Sequence, residues 1–258
     1  MKVVILAGGK GSRISEESLL KPKPLIEIGG KPILFHILKH YEFYGFNEFI
    51  ICCGYKGELI KEYFSNYHIH NSDLKINLNE NKISILKKNN EKWKITLADT
   101  GSESLTGKRI RKIKKYLYND DNFCLTYGDG LSNINLNKLV QYHKRHKKLA
   151  TLSAVQPSGR YGLINFNKNN LVKSFQEKPR GDGAWINGGF YVLNKKIFDF
   201  IDGNVSWESK PLDTLVKKKQ LKVFKHPGFW KAMDTMSDKE YLEKLYFSNR
   251  APWVTWKT

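Results

Sequence analysis

The run KVVILA at residues 2–7 ends abruptly on Gly8, Gly9 and Gly11. A short, continuous apolar run rich in β-branched residues predicts a strand buried on both faces. Strands of that kind belong to parallel sheets covered by helices. The next segments keep to that plan. ILFHILKHYEFYG (33–45) has apolar residues at helical spacing and closes on Gly45. EFIICCGY predicts a second strand and KGELIKEYFSNY a second helix. This alternation predicts a Rossmann-like α/β fold, a mixed and mostly parallel sheet with helices on both faces.

Residues 68–99 break the rhythm. KINLNE, ISILKK and WKITLAD predict short strands between Asn-rich turns, read as a small β insertion. The pattern resumes with a helix near 107–117, strand FCLTYGDG, helix LNKLVQYHKRH and strand ATLSAV. Short strands follow at YGLINF, LVKSFQEK and INGGFYVLN, then PLDTLVKKK as a helix and LKVFKH as a strand. A helix through SDKEYLEKLYF leads to the aromatic tail APWVTWKT, a candidate subunit contact. No repeat or long linker divides residues 1–258, so one domain is expected.

No apolar run approaches the ~20 residues that span a bilayer, and the N-terminus lacks the form of a secretory signal. A soluble, cytoplasmic chain without a membrane partner is expected. Three cysteines, Cys52, Cys53 and Cys124, form no CxxC pair and lie on apolar strands, where thiolate formation is disfavoured. His68 and His70 alternate along a possible strand, but two histidines without a third ligand make a weak metal site. The formal charge is +19. Its lysines are scattered (KKNNEKWK, KRHKK, VKKKQ), which reads as solvated faces and not as one nucleic-acid-binding stripe. Such a field would still gather small anions.

LAGGKGSRI therefore carries the functional question. Three glycines explain a tight turn, but Ser12 and Arg13 directly after them add phosphate donors to a nest of backbone N–H groups. Neither the P-loop pattern nor the dinucleotide fingerprint is present. In KPKPL, Lys23 lies between Pro22 and Pro24, which predicts a stiff, non-helical segment carrying a cation near the loop. Asp129 in TYGDG follows a predicted strand, where ligands of open α/β sheets collect. Asp234 in FWKAMDT follows a later one. The two suit a divalent cation, yet Asp129 equally fits a turn and Asp234 a helix N-cap.

LAGGKGSRI with KPKPLIEIGGKPIL resembles the signature of sugar-1-phosphate nucleotidylyltransferases, and the resemblance runs almost end to end. DTGSESLTGKR, TYGDG, FQEKPRGDGAWINGGF and HPGFWKAMDT are most similar to members that use CTP and glucose 1-phosphate. Ser12 stands where threonine is frequent, and Lys108 where glycine is expected. The resemblance implies a fold of the nucleotide-diphospho-sugar transferase type and Mg²⁺-dependent in-line transfer to the sugar phosphate with loss of pyrophosphate. It implies that Leu6, Ala7, Gly8, Gly9, Lys10, Gly11, Ser12 and Arg13 wrap the nucleotide, aided by Lys23, Ser104, Arg109 and Gly128. Arg13 would meet the departing phosphates, and Thr106-Gly107 would approach the base. Asp129 and Asp234 would hold the metal. Glu177, Lys178, Asn187 and Gly188 would hold the sugar phosphate, although EKP also reads as a surface turn and NGG as a hairpin turn. A homo-oligomer is implied as well. Two rival readings keep their place: transfer to another phosphorylated acceptor, and a non-catalytic nucleotide- or nucleic-acid-binding module. Lys23, Asp129, Lys178 and Asp234 weigh against the second.

Overall fold

The computed structural model describes residues 1–258 apart from 12, 13, 15, 16, 18, 87–90, 158, 160, 161, 178, 181–183, 257 and 258. Its centre is a seven-stranded sheet of order β14-β10-β13-β8-β1-β4-β7. These strands are β1 (Val3–Leu6), β4 (Glu48–Cys53), β7 (Lys94–Asp99), β8 (Asn122–Tyr127), β10 (Ala150–Val155), β13 (Ile186–Asn194) and β14 (Leu221–His226). β13 runs antiparallel to both β8 and β10, and the other neighbours are parallel. The predicted mixed, mostly parallel sheet is therefore present.

β1 shows why its run is uninterrupted. Val3 and Ile5 enter one core while Val4 and Leu6 enter the other. α1 (Ile33–Phe43), α2 (Gly57–Ser65), α5 (Leu136–His146) and α7 (Met236–Phe247) send apolar side chains into the first core. α4 (Thr106–Lys112) and α6 (Lys210–Lys217) supply the second. Alternate residues of one strand thus fill two apolar layers.

Several local expectations change. α3 (Tyr67–His70) is helical and exposes His68 and His70. Residues two apart on a helix do not face each other, so the histidine pair shares no face. Of the expected 68–99 insertion, only β5 (Leu74–Asn77) and β6 (Lys82–Ile85) stand apart as a two-stranded sheet. β7 instead closes the edge of the main sheet, because its register on β4 lets Ala98 join the buried core. INGGF is no hairpin turn; it lies within β13. The aromatic tail folds back on its own chain. Trp253 is fully buried, stacked 5.5 Å from Phe229, with its Nε1–H directed at His36 Nδ1. No helix among the described residues is long and apolar enough to cross a membrane.

Candidate active site

β1 and β8 are parallel neighbours, so the loops at their carboxyl ends emerge side by side. The Gly128 N–H donates to the Leu6 carbonyl at 3.0 Å and joins those loops. Together they open a cavity of about 320 Å³. Leu6, Ala7, Gly8, Gly9, Gly11, Lys23, Ser104, Arg109, Gly128 and Asp129 line it, and Pro24, Leu105, Thr106, Tyr127 and Ser206 complete its wall. Lys10 is turned away, its ammonium 3.2 Å from Glu103 on the surface. Ser12 and Arg13 lie outside the described residues.

The glycine loop is held open from beneath by Arg109. The guanidinium is buried and lies between the backbones of Gly8 and Gly54. It donates at 2.8–3.0 Å to the carbonyls of Gly8, Gly101 and Ser102 and to Thr100 Oγ1. The Gly8 carbonyl also accepts from the Tyr55 N–H. With that carbonyl turned towards Arg109, the planar trans peptide directs the Gly9 N–H the opposite way. Burial holds the Arg109 pKa below its ordinary value, against the pull of neighbouring thiols and carboxylates. The donors of Arg109 are thus engaged in shaping the loop. Gly107 likewise faces protein: its N–H donates to Val205 O, and an added methyl would stand 2.6 Å from that oxygen.

Lys23 departs from the expected extended geometry. Lys23–Leu25 form one 3₁₀ turn, closed by the Leu25 N–H on Pro22 O and the Ile26 N–H on Lys23 O. Pro24 packs on Gly128, and the lysine is anchored at its far end. These contacts outweigh the extended preference before proline. The ammonium lies 2.6 Å from Asp129 Oδ2 and 2.8 Å from Asp234 Oδ1. Burial disfavours its charge, but Asp129 and Asp234 more than offset that, and the Lys23 pKa rises above the ordinary lysine value.

Pairing of two short strands, β9 (Gly130–Ser132) and β15 (Trp230–Ala232), brings these distant aspartates together. Their antiparallel register sets Ala232 opposite Gly130, and the Met233 N–H donates to Asp129 O at 2.9 Å. Asp234 is not the N-cap of α7; Thr235 is, in a capping box with Asp238. The Asp238 carboxylate instead accepts from the Asp234 and Thr235 N–H groups and fixes the Asp234 backbone. Burial opposes its charge, yet bonds from Lys231 and Thr235 hold its pKa below the usual carboxylate range.

Two carboxylates converging on one cation suit a divalent metal. The Lys23 ammonium stands where a hard cation would find the same oxygens, and one positive charge leaves the pair under-neutralised. Among the described residues no group of three or more His, Cys, Asp or Glu encloses a metal. Remaining ligands would have to be water or phosphate oxygens, which is the habit of Mg²⁺.

A second cavity, of about 360 Å³, adjoins the first. Asn187, Gly188, Asp234 and Trp230 line it, and Tyr127 and Asp129 belong to both cavities. The Trp230 indole N–H donates to Gly188 O at 2.7 Å and fixes one wall. Glu177 lines neither cavity. It is exposed at the end of β12 (Val172–Gln176), which pairs with β11 (Leu163–Phe166), and stands near Gly162. Lys178 lies outside the described residues. Glu208 and Tyr127 are site residues that motif reading did not single out; Tyr127 was present inside TYGDG, whereas SWESKP carries no such signal.

A match to the nucleotidyl transferase family spans residues 2–230. The chain belongs to this family. A relative, glucose-1-phosphate cytidylyltransferase of Salmonella typhimurium, is 51% identical over 258 residues, covering 100% of both chains. Among solved structures, HddC from Yersinia pseudotuberculosis complexed with GMP-PN is 24% identical with a TM-score of 0.67, over 95% of this chain and 99% of that one. An apo UDP-glucose pyrophosphorylase is 17% identical with a TM-score of 0.68, over 96% and 98%. At those identities the two structures establish the fold.

Proposed function

We propose that this nucleotidyl transferase moves a cytidylyl group from CTP to glucose 1-phosphate, forming CDP-glucose and pyrophosphate. The observation that carries the reading is the junction of two cavities at Tyr127 and Asp129, beside Lys23 and Asp234. The full-length likeness to the Salmonella relative supports the choice of CTP and glucose 1-phosphate.

In this reaction a phosphate oxygen of glucose 1-phosphate bonds to the α-phosphorus of CTP, and the bond from that phosphorus to the bridging oxygen breaks. The nucleophile is already anionic, so no general base is required. The obstacle is bringing two polyanions together, and catalysis rests on positioning and positive charge. The glycine loop offers backbone donors, and Arg109 keeps that loop in shape. Lys23 supplies a cation at the cavity junction. Asp129 and Asp234 would hold Mg²⁺, which supplies further charge neutralisation on phosphate oxygens when bound. On the motifs that carry them, Arg13 is assigned to the departing phosphates and Lys178 to the sugar phosphate.

A panel of nucleoside triphosphates against sugar 1-phosphates, read by pyrophosphate release, tests the reading. Release should require CTP, glucose 1-phosphate and a divalent cation together. Turnover with UTP or dTTP but not CTP would refute the base assignment, and silence across the panel would refute the enzyme. A homo-oligomer is proposed on the exposed apolar side chains of two hairpins, Ile76 and Leu78 on one and Phe166 and Phe175 on the other. A monomeric mass by light scattering would refute it.

A further inference from the structure

Between the two cavities stands a carboxylate that the cytidylyl-transfer reading leaves without a role. Glu208 is exposed into the second cavity, on the segment that precedes α6. One oxygen, Oε2, accepts from the Thr106 hydroxyl at 2.6 Å, and Thr106 lines the first cavity. The other, Oε1, accepts from the Tyr127 hydroxyl, and Tyr127 lines both. Both anchors are themselves fixed. The Trp207 N–H donates to Thr106 Oγ1 at 2.8 Å. The Tyr127 ring packs on Gly189 and takes the space a side chain would need there: an added methyl would lie 2.7 Å from the ring, and the φ of +77° itself favours glycine.

The hydrogen bonds continue in one direction. The Asn187 amide donates to the Tyr191 hydroxyl at 2.5 Å, and the Tyr191 and Tyr127 hydroxyls lie 3.4 Å apart. A carboxylate can only accept, so the Tyr127 hydroxyl spends its proton on Glu208 and is left to accept from Tyr191. Asn187, Tyr191, Tyr127 and Glu208 thus form a chain that ends on the carboxylate. An ionised carboxylate is acceptor-only, with about four lone-pair positions. Two are used, and the carboxylate lines the second cavity together with Asn187 and Trp230.

A rigid, acceptor-only anion in a small cavity selects for hydroxyl donors and against phosphate. We propose that Glu208 is the specificity residue of the acceptor cavity, accepting a hydrogen bond from a hydroxyl of a neutral hexosyl group. By repelling phosphate it also orients the sugar phosphate, with its charged end towards Lys23. This inference rests on the two-substrate reading above and names a determinant of its second site.

The test pairs Glu208→Ala with single deoxyfluoro analogues of the hexose 1-phosphate. Fluorine cannot donate, so wild-type enzyme should lose about tenfold or more in kcat/KM at the one position facing Glu208. In Glu208→Ala that penalty should vanish, the KM for the unmodified sugar phosphate should rise about tenfold, and kcat and the KM for CTP should stay within about threefold. Glu208→Gln, which keeps one acceptor, should fall between. Glu208→Ala gives up the bonds from Thr106 and Tyr127, so its melting temperature should fall by a few degrees, and the kinetics are compared well below it. If every analogue keeps its wild-type penalty in Glu208→Ala, or the defect falls on CTP, the proposal is overturned. The series is built on whichever hexose 1-phosphate the wild type turns over, so a wrong substrate and a wrong role for Glu208 give different results.

Discussion

Replacing Gly8 by alanine should damage the cavity at the glycine loop through Arg109 and not through the loop's own flexibility. A methyl at Gly8 would stand 2.3 Å from Arg109 Nη1 and 2.5 Å from Cζ. The guanidinium cannot retreat towards Gly54, where an added methyl would already be 2.1 Å from the same nitrogen. It must therefore slide out of the slot and stretch its bonds to Gly8, Gly101, Ser102 and Thr100. Hydrogen bonds to charged groups contribute about 1.5–3 kcal/mol each, so losing two of the four costs about 3–6 kcal/mol. Urea unfolding of wild type, Gly8→Ala, Arg109→Ala and the double variant measures this directly. With Arg109 truncated only the Gly54 Cα, 3.0 Å from the added methyl, still presses on it, so Gly8→Ala should then cost about 1 kcal/mol, leaving a coupling of about 2 kcal/mol or more. Additive losses, or a Gly8→Ala protein as stable as wild type, would refute the claim that Arg109 is wedged between the two glycines.

Asp129→Asn should cut pyrophosphate release by about 100-fold or more while leaving the melting temperature within a few degrees, since it removes a charge from the cavity junction; near-normal turnover would refute the metal-holding role proposed for Asp129. Trp253→Ala should cost about 3–5 kcal/mol in unfolding experiments, the usual loss for a fully buried aromatic, without changing particle mass in solution. Stability should also fall on mild acidification. Burial lowers the pKa of His40 and of His143 to about 4, against 6.5 for free histidine. Between those values the unfolded chain binds the extra protons, so stability rises with pH across about 4 to 6.5 and is lost as pH drops through that window. Melting temperatures from pH 7.5 to pH 5 should decline, and less steeply in His143→Gln; a flat profile would show that neither imidazole is held neutral.

The fold was readable where one physical signal dominated. KVVILA and EFIICC are apolar without interruption because each alternate residue meets a different core, and no other environment demands that pattern. LNKLVQYHKRH is helical from Leu136 to His146, the span its apolar spacing predicts, and in the structure the Asn135 side chain caps its start. Local pattern and structure part where tertiary contacts decide. WKITLAD carries the same local pattern as the hairpin strands before it, and only its register against β4 assigns it to the main sheet. Trp253 reads as an exposed tail residue until His36 and Phe229 are seen around it.

The active site divides along the same line. The glycine loop, Lys23 and Asp129 are close in space because β1 and β8 are neighbours, and their motifs announce phosphate chemistry by residue type alone. What no local pattern conveys is that Asp234 joins Asp129. That meeting depends on six residues, three in β9 and three in β15, whose pairing no local pattern reveals. Arg109 shows the opposite limit. Its residue type suggests a phosphate ligand, but a guanidinium with its donors committed to four backbone and hydroxyl oxygens is already a structural element. Residue type therefore indicates what chemistry a side chain is capable of, and the partners it already has determine how much of that capacity is left for a substrate. By that measure Lys23, held by two carboxylates at the junction of two cavities, can exchange partners as ligands arrive, whereas Arg109 cannot do so without giving up the bonds that shape the loop.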